Sequence, residues 1–233
     1  MTIGICLTEL LMKLHDEGYI HNDLKPDNIM IGEFRNDLKE MNTIYLIDFG
    51  ISSRYLDENG NHKPLQTNVP FKGNAIFSSK NAFARLTLSR RDDIISLMYF
   101  LAYLIDSDLS WIDFNKSINL QFEAITKYKI ETSPKNFLNK KTMMLLPLLK
   151  YAYGLNFDEK PDYERIKFML RKILIKRDFL PDRIFDWSLR SGMQFIRLNH
   201  NENHSSISSC SIASRENTEE GNAFEILKEN LKK

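Results

Sequence analysis

His21-Asn22-Asp23-Leu24-Lys25-Pro26-Asp27-Asn28 is the stretch that decides how this chain is read. It crowds an imidazole, two carboxylates, an ammonium and two amides into eight residues, with a proline that forbids a continuous helix. Upstream, Ile3, Leu7, Leu10, Leu11 and Leu14 recur at helical spacing and Gly18 stands where a helix end takes a left-handed residue, which predicts an amphipathic helix over 2–17. Downstream, Asn28-Ile29-Met30-Ile31 and Thr43-Ile44-Tyr45-Leu46-Ile47 read as two short strands joined by a charged connection containing Phe34 to Glu40. Asp48-Phe49-Gly50 follows the second strand, 25 positions after Asp23. A hairpin of these strands would carry Asp48 back to the Asp23 loop.

Beyond the hairpin, Ser52 to about Asn81 is rich in Asn, Gly and Pro and reads as irregular. Helical patterns then cover Asp92 to Ile105, Ser117 to Lys129, Phe137 to Tyr153 and Tyr163 to Lys176, punctuated by Pro134, Gly154 and Pro161. The fold class is therefore mainly α, with one small β hairpin. Residues 191–221 are polar and expected to stay disordered, because they bury too little apolar surface to offset ordering entropy. In 222–233, Phe224, Leu227 and Leu231 share one face of a short helix that is marginal by itself.

Composition is that of a globular protein: of 233 residues, 42% are hydrophobic and 27% charged, which excludes collagen-like, disulfide-scaffold and wholly disordered classes. The formal net charge of +1 gives no general attraction for nucleic acid or an anionic membrane, so neither is expected as a partner. Cys6 and Cys210 lie far apart and are expected to be free thiols of a reducing compartment. The apolar start lacks a preceding basic residue and is interrupted by Glu9, which argues against a signal peptide. The greasiest run, Ile94 to Ile105, is shorter than the ~20 residues that span a bilayer and reads as a buried helix.

Taken together, the loop His21 to Asn28 and Asp48-Phe49-Gly50 resemble the catalytic-loop and metal-loop signature of protein kinases, H-R-D-L-x-x-x-N leading to D-F-G. Further strings narrow the resemblance to the casein kinase 1 family. Gly73-Asn74-Ala75-Ile76-Phe77-Ser78-Ser79-Lys80-Asn81 resembles its G-T-x-R-Y-A-S-I-N, and Ser89-Arg90-Arg91-Asp92-Asp93 its S-R-R-D-D. Lys160-Pro161-Asp162-Tyr163 and Phe185-Asp186-Trp187 match K-P-D-Y and F-D-W. The resemblance covers roughly residues 1–190 and implies the helical C-lobe of a kinase, with the hairpin carrying the catalytic and metal loops.

By that resemblance Asp23 is the catalytic base orienting a substrate hydroxyl, Lys25 contacts the transferred phosphate, and Asn28 and Asp48 hold magnesium for ATP. His21, Phe49 and Gly50 support the site from beneath, and Asp93 accepts hydrogen bonds from the loop backbone. Lys127, beside Tyr128, is the candidate for a substrate anion site. The chain departs from the family in several places. Asn22 replaces an Arg that commonly pairs with an activation-loop phosphate, which predicts no such switch here, or else a loop-capping role for Asn22. Ile76 replaces an anion-binding Arg, Met98 a Gly, and Ser110 a Pro.

Only 20 residues precede His21 and no G-x-G-x-x-G occurs, so the N-lobe elements that grip ATP are expected to be absent. A lone C-lobe should bind ATP poorly, because positioning dominates this chemistry. Three function classes follow. One is a serine/threonine kinase acting on a protein substrate and completed by an N-lobe. Another is an inactive half-kinase whose exposed face, near Ile20, Met30 and Phe49, docks on a protein partner. The third is a magnesium-dependent hydrolase reusing the same carboxylates. Family analogy implies an intracellular, cytoplasmic or nuclear setting.

Overall fold

A computed structural model describes residues 1–32, 42–107, 109–111, 118–179, 185 and 187. The chain divides into two units, Met1–Arg183 and Ile184–Lys233. Of the second, Phe185 and Trp187 are described, and their rings stack 4.3 Å apart. The polar segment 191–221, the helix expected at 222–233, Cys210 and the Phe34 to Glu40 connection lie outside the described residues.

The first unit is mainly helical. Helix α1 (Thr2–Asp16) buries Leu7, Leu11 and Leu14 of the stripe that its periodicity announces, leaves Ile3 and Leu10 half-buried, and buries Ile5 as well. Gly18 takes φ 85° just beyond it, and its N–H closes on the His15 carbonyl at 3.0 Å, turning the chain into the site loop. Inside α1, a Cβ at Gly4 would sit 2.8 Å from the Leu101 side chain, so glycine lets α1 lie close to the helix that carries Leu101.

Two antiparallel ladders organise the next segment. Strand β1 (Tyr19–Ile20) pairs with β4 (Ser53–Arg54), Tyr19 opposite Arg54 and Ile20 opposite Ser53. Strand β2 (Ile29–Ile31) pairs with β3 (Ile44–Leu46), Ile29 opposite Leu46 and Ile31 opposite Ile44. The β2–β3 ladder is the hairpin expected from the sequence. Strand β4 lies in the Ser52 to Asn81 stretch whose Asn, Gly and Pro content predicts irregular chain, and two residues are too short to show alternation. Between the ladders, residues 21–28 face residues 47–52.

The remaining helices are α2 (Lys80–Phe83), α3 (Arg90–Ile105), α4 (Ile118–Glu131), α5 (Leu146–Gly154) and α6 (Tyr163–Ile175). Helix α3 is buried on every face from Asp92 to Ala102, as its unbroken apolar run implies, and α1 packs against both α3 and α6. The continuous helix expected over 137–153 is corrected: 3-10 turns at Pro134–Phe137 and Met143–Leu145 precede α5. Asn139 breaks it, its Oδ1 accepting from the backbone of Lys141 at 2.9 Å and Thr142 at 3.1 Å, a side-chain turn that competes with helical bonding. Among the described residues, no helix is long and apolar enough to cross a membrane.

Candidate functional site

The site is built where the two facing loops emerge from the ladders. Pro26 starts a 3-10 turn (Pro26–Asn28) that folds the end of the first loop inward. Asn28 is thereby buried, and its Nδ2 donates to the Asp23 carbonyl at 2.8 Å and to Asp23 Oδ2 at 3.0 Å. Lys25 Nζ donates to the same Oδ2 at 2.7 Å. The hydrogen bond and charge of Asp23 raise the Lys25 ammonium above its ordinary value, against a smaller opposing effect of burial. Asp23, Lys25 and Asn28 therefore form one cluster in which a single carboxylate oxygen receives an ammonium and an amide.

Asp48 arrives from the other strand. The Ile47 N–H donates to the Asn28 carbonyl at 2.9 Å, extending the β2–β3 ladder and setting Asp48 one residue past Asn28's partner. Asp48 is exposed and adopts φ 60°, a left-handed conformation that Asp tolerates better than most residues. Its Oδ1 accepts from the Gly50 N–H at 3.1 Å. Phe49 is half-buried, its ring meeting His21 edge-on at 5.1 Å. His21 is fully buried, with Nε2 at 3.1 Å from the Ile47 carbonyl and Nδ1 accepting from the Asp23 N–H at 3.2 Å. One ring nitrogen must donate and the other accept, so the imidazole is neutral here. Burial pushes its pKa down accordingly, against the pull of Asp93.

The first loop is held from below by Asp93 on α3. Its Oδ2 accepts from the His21 N–H at 2.7 Å and His15 Nε2 at 2.8 Å, and its Oδ1 from the Asn22 N–H at 2.9 Å. Burial alone would raise this carboxyl, but the His15 and His21 interactions outweigh it and hold it below the usual carboxylate range. The structure thus brings Asp23, Lys25, Asn28, His21, Phe49 and Asp93 into one connected network, with Asp48 and Gly50 at its exposed edge.

Lys127 is exposed on α4. The cation that reaches the Ile76 segment is Lys129: its Nζ donates to the carbonyls of Ile76 at 2.7 Å and Ser78 at 2.8 Å and lies 3.8 Å from the Tyr99 ring centroid. Lys129 sits one turn beyond buried Ile125, so helical spacing alone placed a lysine on the core face. Two more supports escaped sequence reasoning. Tyr163 lies within 2.7 Å of His15 Nδ1, fixing the ring that donates to Asp93. Asp92, adjacent to Asp93, accepts from Asn81 Nδ2 and the Ser89 N–H, both at 2.8 Å, and from Ser79, anchoring the 73–81 segment to α3. Ser89 is a local helix-cap partner three positions away, but Asn81, Ser79 and Tyr163 lie 11, 13 and 148 positions from theirs, beyond any local signal.

Chemically, the cluster offers a carboxylate to accept or orient a hydroxyl proton, an ammonium beside it for an anion, and hard oxygen donors on Asn28 and Asp48. Among the described residues, no group of three His, Cys, Asp or Glu side chains gathers as a metal cage. A carboxylate paired with an amide oxygen is instead a donor set for a cation whose remaining ligands are phosphates and waters. No family model matches the chain.

Proposed function

We propose that this chain is the C-terminal lobe of a serine/threonine protein kinase of the casein kinase 1 type, which transfers the γ-phosphate of ATP to protein hydroxyls when an N-lobe completes it. The observation that carries this reading is the joining of Lys25 and Asn28 to one oxygen of Asp23, at 2.7 and 3.0 Å, beside a ladder that delivers Asp48. In this reading Asp23 accepts a hydrogen bond from the substrate hydroxyl and orients its oxygen for in-line attack. Lys25, already next to Asp23, holds the transferred phosphate and limits charge build-up as the hydroxyl approaches. Asn28 and Asp48 would hold magnesium, which supplies neutralisation of the phosphate charge when bound with ATP. His21 and Asp93 keep the loop backbone rigid, so that these groups need little reorganisation.

A second reading is favoured by a separate observation. Met30, Ile31, Tyr45, Ile47 and Ile51 are between 36% and 50% exposed, an apolar strip along the hairpin and the Asp48 loop. Ile20, expected in that strip, is instead buried in the strand that pairs with Ser53, and Phe49 is half-buried against His21. An N-lobe would cover the strip in the kinase reading. In the alternative, an inactive half-kinase, a different protein partner covers it.

The test is phosphate transfer from radiolabelled ATP to casein, measured on this chain and on the chain joined to any coding sequence continuous with it upstream. Transfer abolished by Asp23→Asn supports the enzyme. No transfer from either form, together with no magnesium-ATP binding, leaves the binding-subunit reading.

A further inference from the structure

We propose that Asn22 is the positioning residue that latches the Asp48 loop to the Asp23 loop through its side-chain amide. The proposal rests on the reading of these two loops as one phosphoryl-transfer site, although the latch itself is a matter of geometry. Asn22 Nδ2 donates across the gap twice, to the Ile51 carbonyl at 2.9 Å and to Ser53 Oγ at 2.8 Å. A carbonyl only accepts, so the amide cannot be turned the other way. Its Oδ1 is buried without a hydrogen-bond partner, an unfavourable arrangement that the two donated bonds must offset.

The backbone of the same residue is committed elsewhere. Its N–H goes to Asp93 Oδ1 at 2.9 Å, and its carbonyl faces Gly73, where a Cβ would approach to 2.7 Å. Asn22 also adopts φ 68°, a left-handed conformation in which Asn is enriched among non-glycine residues. One residue therefore bonds α3 through its backbone N–H, lies close to Gly73 through its carbonyl, and reaches the chain just beyond Asp48 through its side chain.

The Asp48 loop needs such a tie. Asp48 is exposed, holds a left-handed backbone and bonds through its side chain to Gly50 in its own loop. On the Ile47 side the ladder to Asn28 fixes it. On the 51–53 side the side-chain bonds across the gap are those of Asn22, with a longer contact from Ser52 Oγ to the His21 carbonyl at 3.2 Å. Release of Asn22 would leave the 51–53 side tied across the gap by the Ser52 contact and the pairing of Ser53 with Ile20, and Ile51 with no side-chain bond to the Asp23 loop.

The experiment is 15N relaxation on the full chain combined with a double-mutant cycle in urea. Asn22→Gly keeps the left-handed backbone without strain and removes both donors; Ser53→Ala removes one acceptor from outside the loop. With the latch, order parameters of Ile51 and Ser52 fall from about 0.85 to below about 0.6 in Asn22→Gly, while those of Asp23, Leu24 and the ladder-paired Ser53 stay rigid. The folded-to-unfolded ratio drops about tenfold in Asn22→Gly and about threefold in Ser53→Ala, and the double variant stays near tenfold because both changes cut the same contact. Unchanged order parameters at Ile51 and Ser52, or fully multiplicative losses in the double variant, overturn the latch. Should Asn22→Gly fail to fold, Ser53→Ala alone must loosen Ile51 and Ser52 or the proposal falls. Manganese titration in the presence of ATP, on the chain completed by an N-lobe, reports on the other question: without selective broadening at Asn28 and Asp48 the phosphoryl-transfer reading fails while the latch stands.

Discussion

Asp93 and Lys129 are both withdrawn from water, at 1% and 0% exposure, yet the protein treats their charges in opposite ways. Three donors converge on Asp93, one of them an imidazole, and its ionised form is favoured although burial opposes it. Lys129 meets two neutral carbonyls and the faces of Tyr99 and Trp111, and burial pushes its ammonium well below the ordinary value. Dipoles and ring faces thus fall short of compensating a desolvated charge, where converging donors and an imidazole succeed. The difference marks out the region beneath the Asp23 loop as the one built to hold charge, and the Ile76 region as a packed core around a hydrogen-bonded amine.

The contrast breaks most visibly at Asp93. Asp93→Ala strips the His21 and Asn22 N–H groups and His15 of their acceptor, and is expected to cost about 3–5 kcal/mol in urea denaturation, as for a broken buried pair. A loss below about 1 kcal/mol would mean that the loop holds itself. Next in size is Lys129→Met, expected to cost about 1–3 kcal/mol because two buried carbonyls lose their donor. Its pH signature is more telling. With the folded pKa of Lys129 lowered, the unfolded chain binds more protons between that value and the ordinary one near 10.4, so wild-type stability rises with pH across that range. Lys129→Met should flatten the rise. Tyr99 and Tyr153 oppose the trend above about pH 10, since burial raises their folded pKa values, Tyr153 to about 12.

A smaller effect sharpens the Asp93 side. His21 has a lowered pKa, so its contribution is fully present above about pH 6.5 and is lost as pH falls through the unfolded value toward the folded one. Asp93, lowered below the carboxylate range, loses its contribution only at still lower pH. Stability measured from pH 7 down to 5 should therefore fall in the wild type, by at most about 1.4 kcal/mol per pH unit, and be flatter in His21→Phe. Least of all, Tyr45→Ser on the exposed strip should change stability by no more than about 0.5 kcal/mol. If a cover binds this strip, the same substitution weakens the complex in a pull-down with a candidate N-lobe.

Much of the scaffold was legible along the chain. Periodicity located α1, β2, β3 and α3, Gly18 announced the left-handed turn, and a helical pattern after Pro161 announced α6, whose first turn Asp162 caps by accepting from the Arg165 N–H at 2.9 Å. These signals are local: an apolar stripe, a backbone preference or a cap is written within a few residues. The loop chemistry was legible as well, because Asp23, Lys25 and Asn28 lie within six residues and a 3-10 turn suffices to join them.

Other features were decided only when distant segments met. The two-residue β1–β4 ladder forms where the ends of α1 and the Asp48 loop meet, and Ile20 within it is buried. Lys129 rather than Lys127 reaches Ile76 because the helix face, not the neighbouring Tyr128, sets which lysine points inward. Asn22 looked like the loss of a charge in the sequence; in the fold it is the gain of two hydrogen bonds to residues 29 and 31 positions away. Sequence by itself determined which groups were available at the loops, since composition and local propensity are properties of neighbours. Tertiary structure decided which of them are charged, held or exposed, because solvation and hydrogen-bond partners depend on everything that packs around a group.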